Sequence, residues 1–207
     1  MKFKLALFYS LHSIFFFSQE IIKSQKTDSL IVSFDTVYEY NFDAVYYTKN
    51  STFFKKTPSK TYQYNNFSLG KITSANAYNP LQTLLFYKNF NTIIFLDNQL
   101  NETHKINGNL LEQPINFEAI GLAGQNQLWF FDSFTQKIGL YQFNTNMTKF
   151  ISTPLLSNSI KFYQSNFNYF YWINEKNELY KISIFGKITA LGNIPDFDFI
   201  QLTDQEN

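Results

Sequence analysis

Residues 167–189 read FNYFYWINEKNELYKISIFGKIT, and this stretch decides the fold class. It contains two apolar runs, residues 169–173 and 178–184, separated by the polar pair Asn174-Glu175. β-Branched and aromatic residues favour strands, whereas Asn favours turns because its side chain bonds the nearby backbone. The first run is continuous rather than alternating, which predicts a strand that is buried on both faces.

The same unit of apolar run, polar turn and second run occurs at three other places in the chain. The turns fall at Asp97-Asn98 and Asp132-Ser133, and a looser copy turns at residues 57–59. The flanking runs are residues 92–96 and 102–106, 128–131 and 137–143, and 52–56 and 61–64. No helical periodicity follows the N-terminal segment, so the sequence predicts an all-β protein.

A repeat gives the size of the structural unit. Residues 69–73 (LGKIT) return as residues 185–189 (FGKIT), and FYKNFN at 86–91 returns as FYQSNFN at 162–168. Both separations are multiples of about 39 residues, the size of a four-stranded β-propeller blade. The sequence therefore predicts a propeller or propeller-like array of about four blades. A β-sandwich or an open β-sheet solenoid is the alternative.

Four prolines define the predicted blade boundaries, because proline lacks an N–H and suits the joints between strands. Taking Pro80, Pro114, Pro154 and Pro195 as joints gives repeats near 43–79, 80–113, 114–153 and 154–194. Residues 195–207 are then the start of a further blade, and residues 30–40 can add an extra strand.

Several of these motifs resemble a family of uncharacterised exported proteins from AT-rich Gram-negative bacteria of the Bacteroidota type. The similar segments are residues 79–91, 125–129, 167–173 and 185–190. The resemblance implies a propeller-like fold over roughly residues 40–202 and offers no catalytic residue to transfer. Family members continue for one more blade, so the sequence leaves open whether this array is incomplete at its C-terminus.

The N-terminal segment predicts export. Lys2 and Lys4 precede an apolar stretch over residues 5–17, which is shorter than the roughly 20 residues of a membrane-spanning helix. Residues 1–24 are therefore predicted to be a signal peptide, followed by a single domain over residues 25–207. An uncleaved anchor and a buried N-terminal helix or strand are the alternatives. The expected location is the periplasm or the outer cell envelope, with no other membrane span.

Composition argues against most chemistry. All 17 basic residues are Lys and the net charge is only +1, which argues against nucleic-acid binding. The chain has no Cys, and its two His residues are His12 and His104, so thiolate chemistry and a histidine cluster are excluded. We therefore predict no enzymatic activity, no cofactor and no metal.

The acidic turns are the predicted binding site. If each lies between the second and third strands of its blade, all of them emerge beside the inter-blade links, on one loop face. The candidate residues are Asp97, Asn98, Asp132, Ser133, Asn174 and Glu175. The structural alternative is that Asp and Asn stand there because they stabilise turns.

The sequence thus predicts a protein-interaction or scaffold module at the cell envelope, with an unknown protein partner. A glycan-binding module, using exposed aromatic side chains, is the first alternative. A metal-dependent hydrolase or lactonase, with a cation held by the acidic turns, is the second.

Overall fold

The computed structural model describes residues 34–41, 43–124, 126–155 and 160–202, and the predicted signal peptide lies outside them. Sixteen strands form four antiparallel sheets of four. The strands are β1 (Thr36–Asn41), β2 (Ala44–Lys49), β3 (Thr52–Lys56), β4 (Thr61–Tyr64), β5 (Ser74–Asn79), β6 (Gln82–Tyr87), β7 (Thr92–Leu96), β8 (Glu102–Asn107), β9 (Phe117–Ala123), β10 (Gln127–Asp132), β11 (Lys137–Gln142), β12 (Met147–Phe150), β13 (Ile160–Ser165), β14 (Tyr169–Asn174), β15 (Glu178–Ser183) and β16 (Ile188–Asn193). Three 3-10 helices span Phe67–Leu69, Lys88–Phe90 and Gly108–Leu110, and the described residues form no α-helix.

Each sheet is a blade whose strands follow one another in chain order. The first strands, β1, β5, β9 and β13, lie side by side around the central channel, and we call them the inner strands. Each inner strand carries a register shift where it pairs with the second strand of its blade. Such bulges bend a strand and free backbone groups from the ladder. The predicted all-β fold is confirmed as a four-bladed β-propeller.

The core lies between blades, and this explains the continuous apolar runs. Leu84 and Phe86 pack towards the third blade, whereas Leu85 and Tyr87 on the same strand pack towards the first. Alternate side chains of a strand point to opposite faces of the sheet, so a strand between two neighbouring blades is apolar at every position. The third and fourth blades meet over a cluster that includes Trp129 and Trp172.

The predicted boundaries of the first two repeats are wrong by one strand. β1 belongs to the first blade, and β5 belongs to the second. The spacing between the first strands of successive blades is also uneven. It is 38 residues from β1 (residue 36) to β5 (residue 74) and 43 residues from β9 (residue 117) to β13 (residue 160). Each strand with its polar turn resembles the next one in sequence. A repeat that is shifted by one strand therefore matches the sequence as well as the correct one. For the same reason Pro80 lies between β5 and β6, inside a blade.

The C-terminal segment is not the strand of a further blade. Residues 197–202, which we call the strap, contain no strand. The strap packs on the fourth blade, where the Phe197 ring meets the Phe162 ring edge-on at 6.1 Å. It also bonds β1, so it closes the ring between the fourth and first blades.

Candidate binding site at the upper mouth of the channel

The predicted acidic turns lie at two different ends of the propeller. We call the end at which the inner strands finish the upper end, and the opposite one the lower end. Asp132-Ser133 follows β10 and Asn174-Glu175 follows β14, so both turns join second to third strands at the lower end. Asp97-Asn98 follows β7, the third strand of its blade, and lies at the upper end. The prediction of one shared loop face is therefore wrong for Asp97 and Asn98.

Hydrogen bonds within the protein explain Asp97, Asp132 and Asn174 without any ligand. Asp132 is buried; one of its oxygens accepts from the backbone of Asn116, and the other accepts from the backbone and hydroxyl of Thr135. Asn174 accepts from the backbone of two residues in its own turn. Asp97 accepts from the Asn101 side chain and backbone, which lowers the pKa of its carboxyl. These contacts match the structural alternative for the turns; a binding role for them stays a prediction.

A cavity opens instead at the upper end of the channel. It measures about 580 Å³, and its walls are inner strands, the turns that join inner strands to the second strands of their blades, and the strap. Its lining includes Glu39, Asp43, Tyr78, Asn79, Phe167 and Gln201. The rings of Tyr78 and Phe167 meet edge-on with centroids 5.1 Å apart and form an aromatic wall. Concave sites with apolar walls and a few polar groups are typical of ligand binding.

The bulge in β5 places Glu39 at the base of this cavity. The register of β5 with β6 shifts between Asn76 and Asn79, which leaves the intervening backbone outside the ladder. Side chains of β1 satisfy that backbone. Ala77 donates its N–H to Glu39 Oε2 at 2.5 Å, and Asn41 Nδ2 donates to the carbonyls of Ala77 and Tyr78, both at 2.9 Å. The joint between the first two blades thus fixes the carboxylate.

Burial dominates the electrostatics of Glu39. The residue is only 6% exposed, and this burial raises the pKa of its carboxyl from 4.5 to about 7, although the hydrogen bond from the Ala77 N–H opposes the shift. Tyr46 is its cross-strand neighbour on β2. Burial, and then the nearby Glu39 charge, raise the pKa of Tyr46 to about 12. The Tyr46 hydroxyl is buried without a hydrogen-bond partner among the residues that the structure describes.

Two glutamine side chains hold the strap across the seam between the fourth and first blades. Gln201 accepts from the N–H of Tyr40 at 2.9 Å and donates to its carbonyl at 2.7 Å. Gln164 on β13 forms the same pair of bonds with the backbone of Leu202, at 2.8 and 2.6 Å. Each carboxamide therefore bonds the backbone N–H and carbonyl of one residue, as the backbone of a neighbouring strand would. The wall of the cavity is continuous across the seam.

The lower half of the channel is a second cavity, of about 410 Å³. Glu39 and Gln164 line both cavities, so they form a waist between the two halves. Besides Glu39, this cavity is lined by two acidic residues, Asp198 on the strap and Glu118 on β9, and Glu118 forms an ion pair with Lys88. Above this pair, Ser74 and Tyr163 share a hydrogen bond between their hydroxyls.

The sequence analysis missed Glu39 and Asn41. Both lie in strand β1, at residues that the predicted repeats left outside the first blade. The available signal was a carboxylate within an otherwise neutral strand, TVYEYN, which is unusual for a strand in the channel wall. Finding it required the correct blade boundary.

The described part of the chain shows no grouping of three or more metal-ligating side chains. His104 lies on β8, the outermost strand of its blade, where its ring meets the Phe95 ring edge-on at 5.5 Å. The same described ranges hold no helix with the length and apolar character to cross a membrane.

Comparisons with known proteins show the fold. No family model and no curated protein sequence matches the chain. A virginiamycin B lyase from Staphylococcus aureus, a catalytically inactive His-to-Ala variant with quinupristin, is 17% identical with a TM-score of 0.53, and the match covers 78% of this chain and 57% of the lyase.

Two further structures match similarly. A streptogramin B lyase is 14% identical with a TM-score of 0.50, over 77% of this chain and 68% of the lyase. The WD40 repeats of RRP9 are 6% identical with a TM-score of 0.52, over 75% of this chain and 53% of that one. The chain thus spans little more than half the length of two of these three proteins. At such low identity the likeness identifies the fold alone: this chain is similar to β-propeller proteins.

Proposed function

We propose that this chain is a non-enzymatic, exported binding module that holds a segment of a partner protein at the upper mouth of its channel. The observation that carries the proposal is the upper cavity, with its aromatic wall at Tyr78 and Phe167 and its buried carboxylate at Glu39. Inner strands carry Glu39 and Tyr78, and the turn after an inner strand carries Phe167, so a rigid scaffold presents these groups. Export is proposed on the basic and apolar character of residues 1–24.

The chemistry of the channel supports binding over catalysis. Acid–base catalysis uses positioned groups within reach of one another. In the described residues the upper cavity has one buried carboxylate, and the exposed Asp43 at its rim is the other acid of its lining. The virginiamycin B lyase is catalytically inactive as a variant in which a histidine is replaced by alanine. The one histidine in the described part of this chain, His104, lies on an outermost strand rather than in the channel.

Site-specific photo-cross-linking in the native cells tests the proposal. p-Benzoylphenylalanine replaces Phe167 at the upper mouth in one variant, and Phe134 on a lower turn in a matched control. We expect a protease-sensitive adduct from the envelope fraction at position 167 and none at position 134. Adducts at position 134 alone would favour the lower face. Recovery of the chain only from the cytoplasm would contradict export.

A glycan-binding module is the second candidate, because the upper mouth combines aromatic rings with carboxamide and carboxylate groups. Tyr78 and Phe167 offer faces for stacking, and Asn79 and Gln201 supply polar groups beside them. Sugar recognition uses the same combination of a flat apolar surface and oriented hydrogen-bond partners. The same cross-linking distinguishes the two candidates. An adduct at position 167 that resists protease and is degraded by glycosidases would replace the protein partner with a glycan.

A further inference from the structure

We infer that the upper cavity is a binding site for an aliphatic ammonium group, supplied by a lysine side chain of the partner segment that contacts Glu39. This inference rests on the proposed function and specifies its chemistry. It is carried by the sign of the charge in the cavity, by the unpartnered oxygen of Glu39 and by the aromatic wall.

The charged lining of the upper cavity is acidic. Glu39 lies at its base and Asp43 at its rim, and no Lys stands among the described residues that line it. Two lysines line the lower cavity, and a third, Lys55, is buried in the first blade. Its ammonium donates to the carbonyl of Asn98 at 3.1 Å and to that of Pro80 at 3.5 Å. The local charge therefore favours a cationic ligand.

One oxygen of Glu39 is available for that ligand. Oε2 accepts from the Ala77 N–H, whereas Oε1 has no hydrogen bond within the described part of the chain, and Glu39 lines the upper cavity as well as the lower one. Supporting the β5 bulge requires only an acceptor for Ala77, which a Gln side chain supplies without charge. A buried carboxylate is far more costly to desolvate than a carboxamide. The carboxylate is therefore explained by a ligand that compensates its charge better than by the bulge.

The geometry favours an ammonium over a guanidinium. Arginine binds carboxylates best through two parallel bonds to both oxygens, and Oε2 of Glu39 is already engaged by Ala77. An ammonium is a compact charge that is satisfied by a single strong bond to Oε1. The Tyr78 and Phe167 rings can cover the aliphatic stem of a lysine and attract its charge.

Titration of the full-length chain with small probes tests the inference. The probes are N-acetyl-lysine N-methylamide, its ε-acetylated form, and the norleucine and arginine equivalents, followed by NMR shifts of Tyr78 and Phe167. We expect the lysine probe to bind at least about tenfold more tightly than each of the other three, the size of one good charge-assisted hydrogen bond. Equal affinities, or no saturable shift up to about 50 mM, would overturn the inference.

Two variants locate the binding to one carboxylate. Glu39→Gln keeps an acceptor for Ala77 and removes the charge, so lysine binding should fall by about tenfold or more. Glu118→Gln removes the other inner-strand carboxylate and should leave binding within about twofold. Unchanged binding by a folded Glu39→Gln variant would overturn the inference.

The wild-type chain gives a measurement that does not depend on a variant folding. Because Glu39 has a raised pKa of about 7, lysine binding should weaken from pH 8 to pH 5.5 as its carboxylate gains a proton. The other charged groups that line the cavities beside Glu39 are Asp43 in the upper one and Lys88, Glu118, Lys161 and Asp198 in the lower one. Lys55 lies behind the upper cavity, on the carbonyl of Pro80. Equal binding at both pH values would argue against Glu39 as the anion.

The lysine inference and the proposed function fail separately. A protein adduct at position 167 together with equal binding of the charged and neutral probes would contradict the lysine inference and leave the protein-binding function intact. Selective lysine binding without any protein adduct at position 167 would remove the proposed function instead. In that case a small-molecule amine, rather than a protein segment, would be the occupant.

Discussion

The upper half of the channel is lined by β1, β5 and β13 and the lower half by these strands and β9, and the two halves surround a carboxylate with different groups. In the lower half, Glu118 is paired with Lys88, and the two side chains are 36% and 42% exposed. In the upper half, Glu39 is 6% exposed and has a backbone N–H as its only hydrogen-bond partner among the described residues. The lower carboxylate is compensated by a cation and by water, whereas the upper one is compensated by neither.

This difference separates a structural carboxylate from a functional candidate. A half-exposed ion pair has little effect on stability in either direction. A buried carboxylate without a cation lowers stability whenever it is ionised, and such groups concentrate at functional sites. Among the predicted loop sites, Asp132 is as buried as Glu39, but both of its carboxylate oxygens accept hydrogen bonds, one from Asn116 and the other from Thr135.

The largest effect on the free energy of unfolding is expected for Glu39→Gln. With a pKa near 7 when folded and near 4.5 when unfolded, Glu39 holds its proton more tightly in the folded state. Its contribution to stability is therefore complete below pH 4.5 and is lost as the pH rises through 7. This loss amounts to about 3 kcal/mol by pH 8. Glu39→Gln should match the wild type near pH 4.5 and exceed its unfolding free energy by up to about 3 kcal/mol at pH 8.

Urea unfolding of the two proteins across this pH range measures the difference. Other carboxylates titrate in both proteins, so only the difference between the two unfolding free energies is attributed to Glu39. A constant difference from pH 4.5 to pH 8 would mean that the Glu39 carboxylate is solvated, and the contrast between the two halves would be lost. A gain in stability with a loss of lysine binding would show that the carboxylate is kept for function.

The second largest effect on stability is expected for Gly121→Ala, which tests how closely the inner strands pack. The comparison of the two halves of the channel depends on this packing. A Cβ added to Gly121 on β9 would lie 2.0 Å from Oγ and 2.8 Å from Cβ of Ser165 on β13. Gly121→Ala should therefore lower the unfolding free energy by about 2 kcal/mol. Gly124→Ala is the matched control, because its added Cβ meets only the Phe167 carbonyl oxygen and Cβ, at 3.5 and 3.7 Å.

Thermal unfolding of both glycine variants, at one pH, measures this effect. Ser165→Gly should restore much of the stability of Gly121→Ala, since it removes both clashing atoms. If Gly121→Ala is as stable as Gly124→Ala, the third and fourth blades are free to separate. The waist at Glu39 and Gln164 would then be a flexible region rather than a fixed wall.

Sequence reasoning was sufficient for the fold class because the apolar runs report burial directly. Strands such as residues 92–96 and 169–173 are apolar on both faces, as blades packed on two neighbours require. The register of the repeat was not recoverable, because one strand with its turn looks like the next. The slip of one strand placed Asp97 at the wrong end of the propeller and left β1 out of the first blade.

The candidate site could not be read from sequence for a related reason. Glu39 and Ala77 are 38 residues apart, and a bulge that frees the Ala77 N–H brings them together. Nothing in residues 74–79 (SANAYN) predicts that bulge, and the groups that bond its freed backbone belong to the neighbouring blade. Gln201 and Tyr40 are 161 residues apart and meet only because the strap closes the ring.

The smallest effect is expected for Glu118→Gln, and its sign is opposite to that of Glu39→Gln. Losing the pair with the half-exposed Lys88 should lower the unfolding free energy by about 0.5 kcal/mol. The loss should shrink in about 0.5 M salt, because exposed charges are screened. A Glu118→Gln variant that is instead more stable at pH 8 would place Glu118 in the same class as Glu39, and the two halves of the channel would no longer differ.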